Sequence, residues 1–180
     1  MHASLRTERL VMRRWRESDR APFAALNADP EVMRHFPSTL SRTESDALVD
    51  RIEERFAANG FGFWALELAD SGRFIGFTGL SSVGFAAPFT PAVEVAWRLA
   101  RPAWGRGYAS EAARTALSVG FERYGLTEVV AFTPVSNERS QAVMRRIGMT
   151  HDPNDDFDHP LLPKGHVLAR HVLYRTSLGG

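Results

Sequence analysis

Two glycines separated by one residue follow a predicted strand and precede a predicted helix. Gly105 and Gly107 come just after the strand over residues 92–99, and Arg106 lies between them. The first turn of a helix has unpaired N–H groups and a partial positive charge. Glycines let the backbone approach a ligand without a Cβ clash, and a guanidinium adds a charged contact. The spacing therefore predicts a pyrophosphate site at residues 105–110.

This turn lacks the remaining features of two common phosphate-binding motifs. A dinucleotide-binding Rossmann turn has a third glycine, where this chain has Ser110. It also has an acidic residue at the end of the next strand, whereas here Glu128 comes before that strand. A Walker loop needs Gly-Lys-Ser/Thr, but the only lysine, Lys164, lies between Pro163 and Gly165. A glycine turn that binds nothing remains the plain alternative.

The composition excludes further classes of chemistry. The 180 residues contain no cysteine, which rules out disulfides, thiolate zinc sites, iron–sulfur clusters and a cysteine nucleophile. Lys164 lies in a Pro-rich loop, a poor place to desolvate an amine for Schiff-base chemistry. The net charge of +1 gives no reason to expect nucleic acid as a partner. No metal site is expected, because His166 and His171, if both lie on the last strand, would face opposite sides of it.

The elements that must position the glycine turn can be predicted from hydrophobic periodicity and turn residues. Strands are expected over residues 10–15, 61–68, 73–82, 92–99, 129–133 and 167–174. Helices are expected from Ser18-Asp19 to about 27, from the capping box at 41–44 to 59, over 110–124, and from Ser136 or Asn137 to about 147. This order and length indicate one α/β or α+β domain around a mixed sheet.

No segment is apolar enough to cross a bilayer, and the first residues lack the apolar run of a signal peptide. A soluble cytoplasmic protein without a membrane partner is therefore expected.

Several segments around the glycine turn resemble the GNAT acetyltransferases. Residues 93–99 and 104–112 resemble the family's acyl-CoA motif, and the similarity is strongest to the branch that acetylates the N-termini of ribosomal proteins. The other segments that carry the resemblance are 7–10, 18–19, 29–33, 137–140 and 146–149. The likeness covers about residues 5–175, which is the expected N-acetyltransferase domain. Trp104 departs from the family's leading Arg/Gln, which leaves the backbone cradle intact and moves any side-chain contact to Arg106.

The resemblance implies a single-domain GNAT fold, with a mixed, mostly antiparallel sheet splayed between two strands and flanked by about four helices. It implies that acetyl-CoA lies between strands 92–99 and 129–133, with its pantetheine arm added to the first strand like an extra strand. No metal is implied. The cofactor-binding residues would be Trp97, Arg98, Leu99, Trp104, Gly105, Arg106, Gly107, Tyr108, Ala109, Ser110, Asn137 and Ser140.

The implied reaction is attack of a primary amine on the thioester. A base must first deprotonate the ammonium, and Glu94 is the best-placed carboxylate, directly or through a water chain. A backbone N–H of strand 92–99 would stabilise the oxyanion. Ser140 would donate a proton to the leaving thiolate, since Val143 and Met144 stand where many GNATs have a tyrosine. The structural alternatives are a strand-end glutamate bound to an arginine and a serine bonded to the helix backbone.

The acceptor side is predicted from aromatic and charged residues. Residues 94–149 contain eight arginines and five glutamates, whereas residues 150–160 contain four aspartates and no lysine or arginine. This difference suggests that the acidic loop recruits a cationic acceptor, although a solvated loop is the alternative. The candidate acceptor-binding residues are Phe36, Trp64, Phe85, Asp155, Asp156 and His159, with Phe89 as a further aromatic.

The sequence thus predicts an acetyl-CoA-dependent N-acetyltransferase whose acceptor is a protein N-terminus or a small amine. Two alternatives remain: a catalytically inactive acyl-CoA-binding sensor and a nucleotide-binding protein. A spare sheet edge could also pair in a homodimer.

Overall fold

The computed structural model describes residues 4–178. Within that range the strands are β1 (Leu5–Arg6), β2 (Leu10–Arg13), β3 (Phe63–Leu68), β4 (Phe74–Ser82), β5 (Val93–Leu99), β6 (Glu128–Pro134), β7 (Thr150–His151), β8 (Phe157–Asp158) and β9 (Arg170–Ser177). The α-helices are α1 (Arg20–Ala28), α2 (Arg42–Asn59), α3 (Tyr108–Tyr124) and α4 (Glu138–Arg146).

All the strands form one sheet in the order β1-β2-β3-β4-β5-β6-β9-β7, with β8 also paired to β9. Every neighbouring pair is antiparallel except β5 and β6, which run parallel. These two strands are in register only at Glu94 and Val130. The mixed sheet and its four helices are as the sequence predicted, and the mostly antiparallel pairing and the splay are as the family resemblance implied.

Local sequence explains where the helices begin and end. The Ser41 hydroxyl accepts from the Glu44 N–H, and the Glu44 carboxylate accepts from the Ser41 N–H, which completes the capping box of α2. Gly60, at φ 77°, ends that helix. Helix α3 begins two residues earlier than predicted, because Gly107 adopts φ 81° and its carbonyl accepts from the Glu111 N–H.

The two faces of β5 contact different helices, since side chains alternate along a strand. Val95 and Leu99 pack in the main core, which also contains three alanines of α3: Ala112, Ala113 and Ala116. These small side chains let the helix lie close to the sheet. Arg98 is on the opposite face, where its guanidinium bonds to Asn27 of α1. Side chains on the α3 face of β5 therefore have different surroundings from those on the α1 face.

The last strand begins three residues later than predicted. Turns precede it: the His166 N–H bonds to the Pro163 carbonyl, and the Ala169 N–H bonds to the His166 carbonyl. Val167, predicted to start the strand, is 86% exposed. His171 therefore lies on β9 while His166 lies in a turn, so the two histidines are not on one strand.

No helix within residues 4–178 combines the length and apolarity needed to cross a membrane. The same residues contain no group of three or more metal-binding side chains arranged around a common point.

Candidate active site

The parting of β5 and β6 leaves an open strand edge. β5 pairs with β4 along its whole length, from Val93 to Leu99, but it pairs with β6 only where Glu94 meets Val130. We call this meeting point of Glu94 and Val130 the vertex. Beyond the vertex, the edge of β5 that faces β6 lacks a partner strand among the described residues. An extended molecule can add to such an edge by backbone hydrogen bonds. Trp97 and Arg98, two predicted cofactor residues, lie on this part of β5.

Glu94 lies at the vertex itself. Its side chain is half-buried and packed among protein atoms. The described residues give that carboxyl no hydrogen-bond partner, and burial raises its pKa to about 7, against the opposing effect of the Arg55 charge. A carboxyl with a pKa near 7 can take up a proton at neutral pH, as a general base must.

The predicted pyrophosphate turn has the backbone conformation that the glycines suggested. Gly105 and Gly107 have φ values of 71° and 81°, which side-chain-bearing residues rarely adopt. Arg106 is exposed, and Tyr108 begins α3 directly after the turn. The hydroxyl of Ser110, in the first turn of α3, is buried and has no hydrogen-bond partner among the described residues. The turn therefore presents free hydrogen-bond donors at the N-terminus of α3, and Ala109 lies in this first turn of the helix.

Arg9 supports this turn, a role that the sequence did not assign to it. Its guanidinium bonds to the Arg106 carbonyl at 2.8 Å and lies 4.8 Å from the centre of the Tyr108 ring. It also pairs with Glu111 at 2.6 Å, and the Thr7 hydroxyl bonds to the same carboxylate at 2.5 Å. The N-terminal segment thus fixes the start of α3 and neutralises the one acidic residue of its first turn. The only sequence feature that pointed to Arg9 was its place in the segment 7–10, which carries part of the family resemblance.

Trp104 connects the end of β5 to the start of α4. Its indole N–H donates to the Leu99 carbonyl at 2.8 Å. The guanidiniums of Arg101 and Arg139 lie 4.9 and 4.8 Å from its ring centre. Arg139 is a second residue at this site without a role assigned from the sequence, although it lies in the segment 137–140.

Asn137 and Ser140 lie together where β6 gives way to α4. The Asn137 side chain caps α4 by accepting from the Ser140 N–H at 3.3 Å. Its amide donates to the Ser140 hydroxyl at 3.1 Å and to the Thr133 hydroxyl at 2.8 Å. The Ser140 oxygen is thus an acceptor here, and its own proton is left for another group.

An aromatic cluster lies on the β6–β9 side of the vertex. Phe85 and Phe89, from the loop after β4, pack on Phe132 of β6 and Phe157 of β8. The His159 ring is 4.5 Å from the Phe85 ring. The cluster therefore brings together Phe85, Phe89 and His159, three residues predicted for the acceptor side. On the α1 side, Phe36 is 38% exposed and covers the Arg98 guanidinium at 4.2 Å.

The remaining predicted acceptor residues are committed elsewhere. Trp64 is 4% exposed and packs edge-on against Phe56 in the core. Asp155 pairs with Arg175, and Asp156 pairs with His151, each at 2.7 Å. The structure does not bring these three side chains to the vertex.

Comparisons with known proteins agree with this arrangement. The family model of the acetyltransferase (GNAT) domain matches residues 9–150. The uncharacterized protein YkkB of Bacillus subtilis is 30% identical over 79% of this chain and 83% of its own length. An FsC-acetyl coenzyme A-N(2)-transacetylase of Aspergillus fumigatus is 35% identical over 70% of this chain and 56% of its own length.

Solved structures show the same fold. An acetyltransferase from Agrobacterium tumefaciens has a TM-score of 0.78 and 27% identity, covering 98% of this chain and 95% of its own. The ribosomal-protein-S5-alanine acetyltransferase from Vibrio fischeri has a TM-score of 0.73 and 18% identity, covering 97% and 96%, a likeness of fold alone. The chain belongs to the GNAT acetyltransferase family and is an acetyl-CoA-dependent N-acetyltransferase.

Proposed function

We propose that the acetyl group passes directly to a primary amine, with both substrates bound at the vertex of β5 and β6. The observation that carries this proposal is the position of Glu94, a half-buried carboxyl with a pKa of about 7 at the point where the open edge of β5 begins. No cysteine exists in the chain to carry the acetyl group, and direct transfer needs none.

The residues present fit acetyl-CoA. The open edge of β5 suits the pantetheine arm, and the turn at 105–110 suits the pyrophosphate, where the unpartnered hydroxyl of Ser110 marks an unused donor. Arg106 is free to contact a phosphate oxygen, and Asn137 lies at the far side of the cleft. When bound, acetyl-CoA supplies the acetyl thioester and a thiolate leaving group.

The chain's own groups supply the proton transfers. Glu94 accepts the proton that the amine loses as its nitrogen bonds to the acetyl carbon. A backbone N–H on the open edge of β5 donates to the carbonyl oxygen as negative charge develops there. Ser140 donates its hydroxyl proton toward the sulfur, while Asn137 holds the hydroxyl oxygen. The acceptor enters from the face that carries Phe36, Phe85 and His159.

A thiol-release assay with acetyl-CoA tests the proposal. Because the protein has no cysteine, a thiol reagent detects only the CoA that is released. The parent, Glu94→Gln and Ser140→Ala are compared across free amino acids, polyamines, amine antibiotics and peptides with free N-termini.

We expect turnover with at least one amine, and a loss of kcat in Glu94→Gln of about 100-fold or more. Glu54→Gln is the matched control, because Glu54 is exposed on α2. Absence of thiol release with every amine would contradict the proposal, and full kcat in Glu94→Gln would exclude Glu94 as the base.

A further inference from the structure

Arg98 is a half-buried arginine, with its Nε fully buried, for which the described residues provide no carboxylate. Arg13, a buried arginine of the sheet, is 6% exposed and pairs with Asp19 and Glu67, each at 2.7 Å. Its pKa is raised mainly by the hydrogen bond to Asp19. Arg98 has only a neutral partner, and burial lowers its pKa to about 10, so it keeps its charge at neutral pH. A buried charge without a counter-ion is costly to maintain unless a ligand supplies one.

The hydrogen bonds of Arg98 leave one edge of its guanidinium unused. Nη1 donates to Oδ1 of Asn27 at 2.7 Å, and Asn27 is itself fully buried and fixed by Ser45. Nε is buried and has no acceptor, and residues 4–178 offer none to Nη2. Nε–H and Nη2–H are the parallel pair that a guanidinium presents side-on to a carboxylate.

The surroundings of Arg98 hold the guanidinium in one place. Its carbon lies 4.2 Å from the centre of the Phe36 ring and 5.5 Å from that of Phe77. These rings limit the access of water, which strengthens any ion pair formed there. Arg98 is nevertheless only partly buried as a whole residue, and Phe36 is 38% exposed, so a small ligand can reach it.

Arg98 lies on the acceptor side of β5. It is four residues from Glu94, and even spacing in a strand places both side chains on one face, with their Cα atoms about 13 Å apart. The pyrophosphate turn leads into α3, which packs on the other face of β5 through Leu99 and its neighbours. The unused edge of Arg98 is thus separated from the phosphate site and shares a face with the proposed base.

We infer that the amine acceptor also carries a carboxylate, as a free amino acid does, and that this carboxylate binds the Nε–Nη2 edge of Arg98 while the amine faces Glu94. The inference rests on the proposed function. Bond changes remain those of amine acetylation: the N–C bond forms, the C–S bond breaks and the amine proton goes to Glu94. The leaving thiolate takes up a proton from water through the Ser140 hydroxyl, which is thereby regenerated. The carboxylate is unchanged, and the product is an N-acetyl amino acid.

Matched sets of acceptors test the inference. One set is L-phenylalanine, L-phenylalaninamide and 2-phenylethylamine, and a second is L-leucine, L-leucinamide and 3-methylbutylamine. The amide keeps the size of the carboxylate but removes its charge. For the parent we expect kcat/KM to be about 100-fold higher for an amino acid than for its amide or its decarboxylated amine. A parent that prefers the uncharged members would overturn the inference while leaving the proposed function intact.

Three variants test whether Arg98 causes the preference for acceptors that carry a carboxylate. Arg98→Met should abolish it by lowering kcat/KM for the amino acids alone, with the KM of acetyl-CoA unchanged. Arg98→Lys keeps the charge without the two parallel donors and should retain only part of the preference, which also provides a test if Arg98→Met does not fold. Arg51→Gln, on the exposed side of α2, is the control and should keep the full preference.

Two other outcomes would decide against Arg98 as an acceptor residue. If Arg98→Met raises the KM of acetyl-CoA equally with every amine, Arg98 serves the cofactor. If no amine releases thiol, the proposed function fails, and binding decides the inference: N-acetyl-L-phenylalanine with CoA should raise the melting temperature of the parent and not of Arg98→Met. Equal shifts in both would overturn it.

Discussion

Two glutamates near the proposed cofactor site have opposite surroundings. Glu111 accepts hydrogen bonds from Thr7 and Arg9, and although burial acts to raise its pKa, these bonds hold it below the ordinary value. Glu94 receives no such bonds, and its pKa is raised to about 7 by burial. The first carboxylate is fixed in its charged form and organises the start of α3, whereas the second can exchange a proton. Hydrogen bonding distinguishes their roles, since both are glutamates on regular elements.

The pH dependence of turnover should report Glu94. A base acts in its deprotonated form, so we expect kcat/KM to rise with pH through an apparent pKa near 7. Deprotonation of the acceptor amine adds a second rise in kcat/KM, at a pKa near 8 for a peptide α-amine and near 10 for an alkyl amine. Measurement of kcat/KM from pH 5.5 to 9.5 separates the two.

Glu94→Gln should lose the rise near pH 7 and keep the one set by the acceptor. The prediction is contradicted if Glu94→Gln and the parent have superimposable profiles.

The Ser140 hydroxyl should matter for kcat rather than for binding. Its oxygen accepts from Asn137, which leaves its proton for the leaving thiolate. Ser140→Ala should therefore lower kcat by about 10-fold, the effect of losing one hydrogen bond to a developing charge, with the KM of acetyl-CoA nearly unchanged. Ser118→Ala, on the exposed side of α3, should match the parent. A rise in KM alone would instead indicate that Ser140 only helps to bind acetyl-CoA.

At the scale of elements, β5 must be held firmly on one edge because its other edge is open. Gly76 of β4 makes this possible, since a Cβ there would lie 2.1 Å from the Arg98 carbonyl oxygen and 2.9 Å from the Leu99 Cα. Its φ of 135° also disfavours any side chain. The close contact of β4 and β5 thus sits behind the part of β5 that would bind pantetheine.

Gly76→Ala should force the two strands apart at this point. We expect the free energy of unfolding to fall by about 3 kcal/mol and the KM of acetyl-CoA to rise. Denaturant unfolding and steady-state kinetics measure the two effects.

Gly72→Ala is the control for the backbone conformation alone. Gly72 has a φ of 68° in the β3–β4 turn, and a Cβ there would meet nothing within 4 Å. This variant should lose about 1 kcal/mol of stability without any change in the KM of acetyl-CoA. The same KM in both variants would contradict the proposed role of the β4–β5 contact.

At the scale of the whole molecule, the aromatic cluster makes stability depend on pH. His171 is 6% exposed on β9, and its pKa is lowered to about 4 by burial, with a smaller effect of the nearby His159. The unfolded chain binds a proton at this residue below about pH 6.5, while the folded protein does not until about pH 4. Stability is therefore lost as the pH falls across this interval.

His171 should contribute a loss of about 2 kcal/mol between pH 7 and pH 4, once solvent screening is allowed for. Denaturant unfolding at a series of pH values measures it. His171→Leu should show a smaller loss over the same interval, and a slope equal to that of the parent would contradict the assignment.

The sequence by itself determined the longer helices and strands and the conformation of the turn at 105–110. Helix caps such as Ser41 and Gly60, the turn at 105–110 and the cap at Asn137 depend on residues close in the chain, so their local pattern predicts them. The start of β9 was misplaced, because the turns at 163–169 compete locally with an extended conformation. The parting of β5 and β6 was expected from the family resemblance, not from periodicity.

Tertiary structure alone decided which side chains have partners. Arg9 with Glu111 and Arg98 with Asn27 are contacts across 102 and 71 residues, which no local pattern specifies. Trp64 and Phe36 are both aromatic, yet the first is enclosed in the core and the second lies exposed over Arg98. Asp155 and Asp156 formed an acidic run in the sequence, but in the fold they bond to Arg175 and His151. Charge and burial are properties of the surroundings in space, so the proposed acceptor side could be argued only from the folded chain.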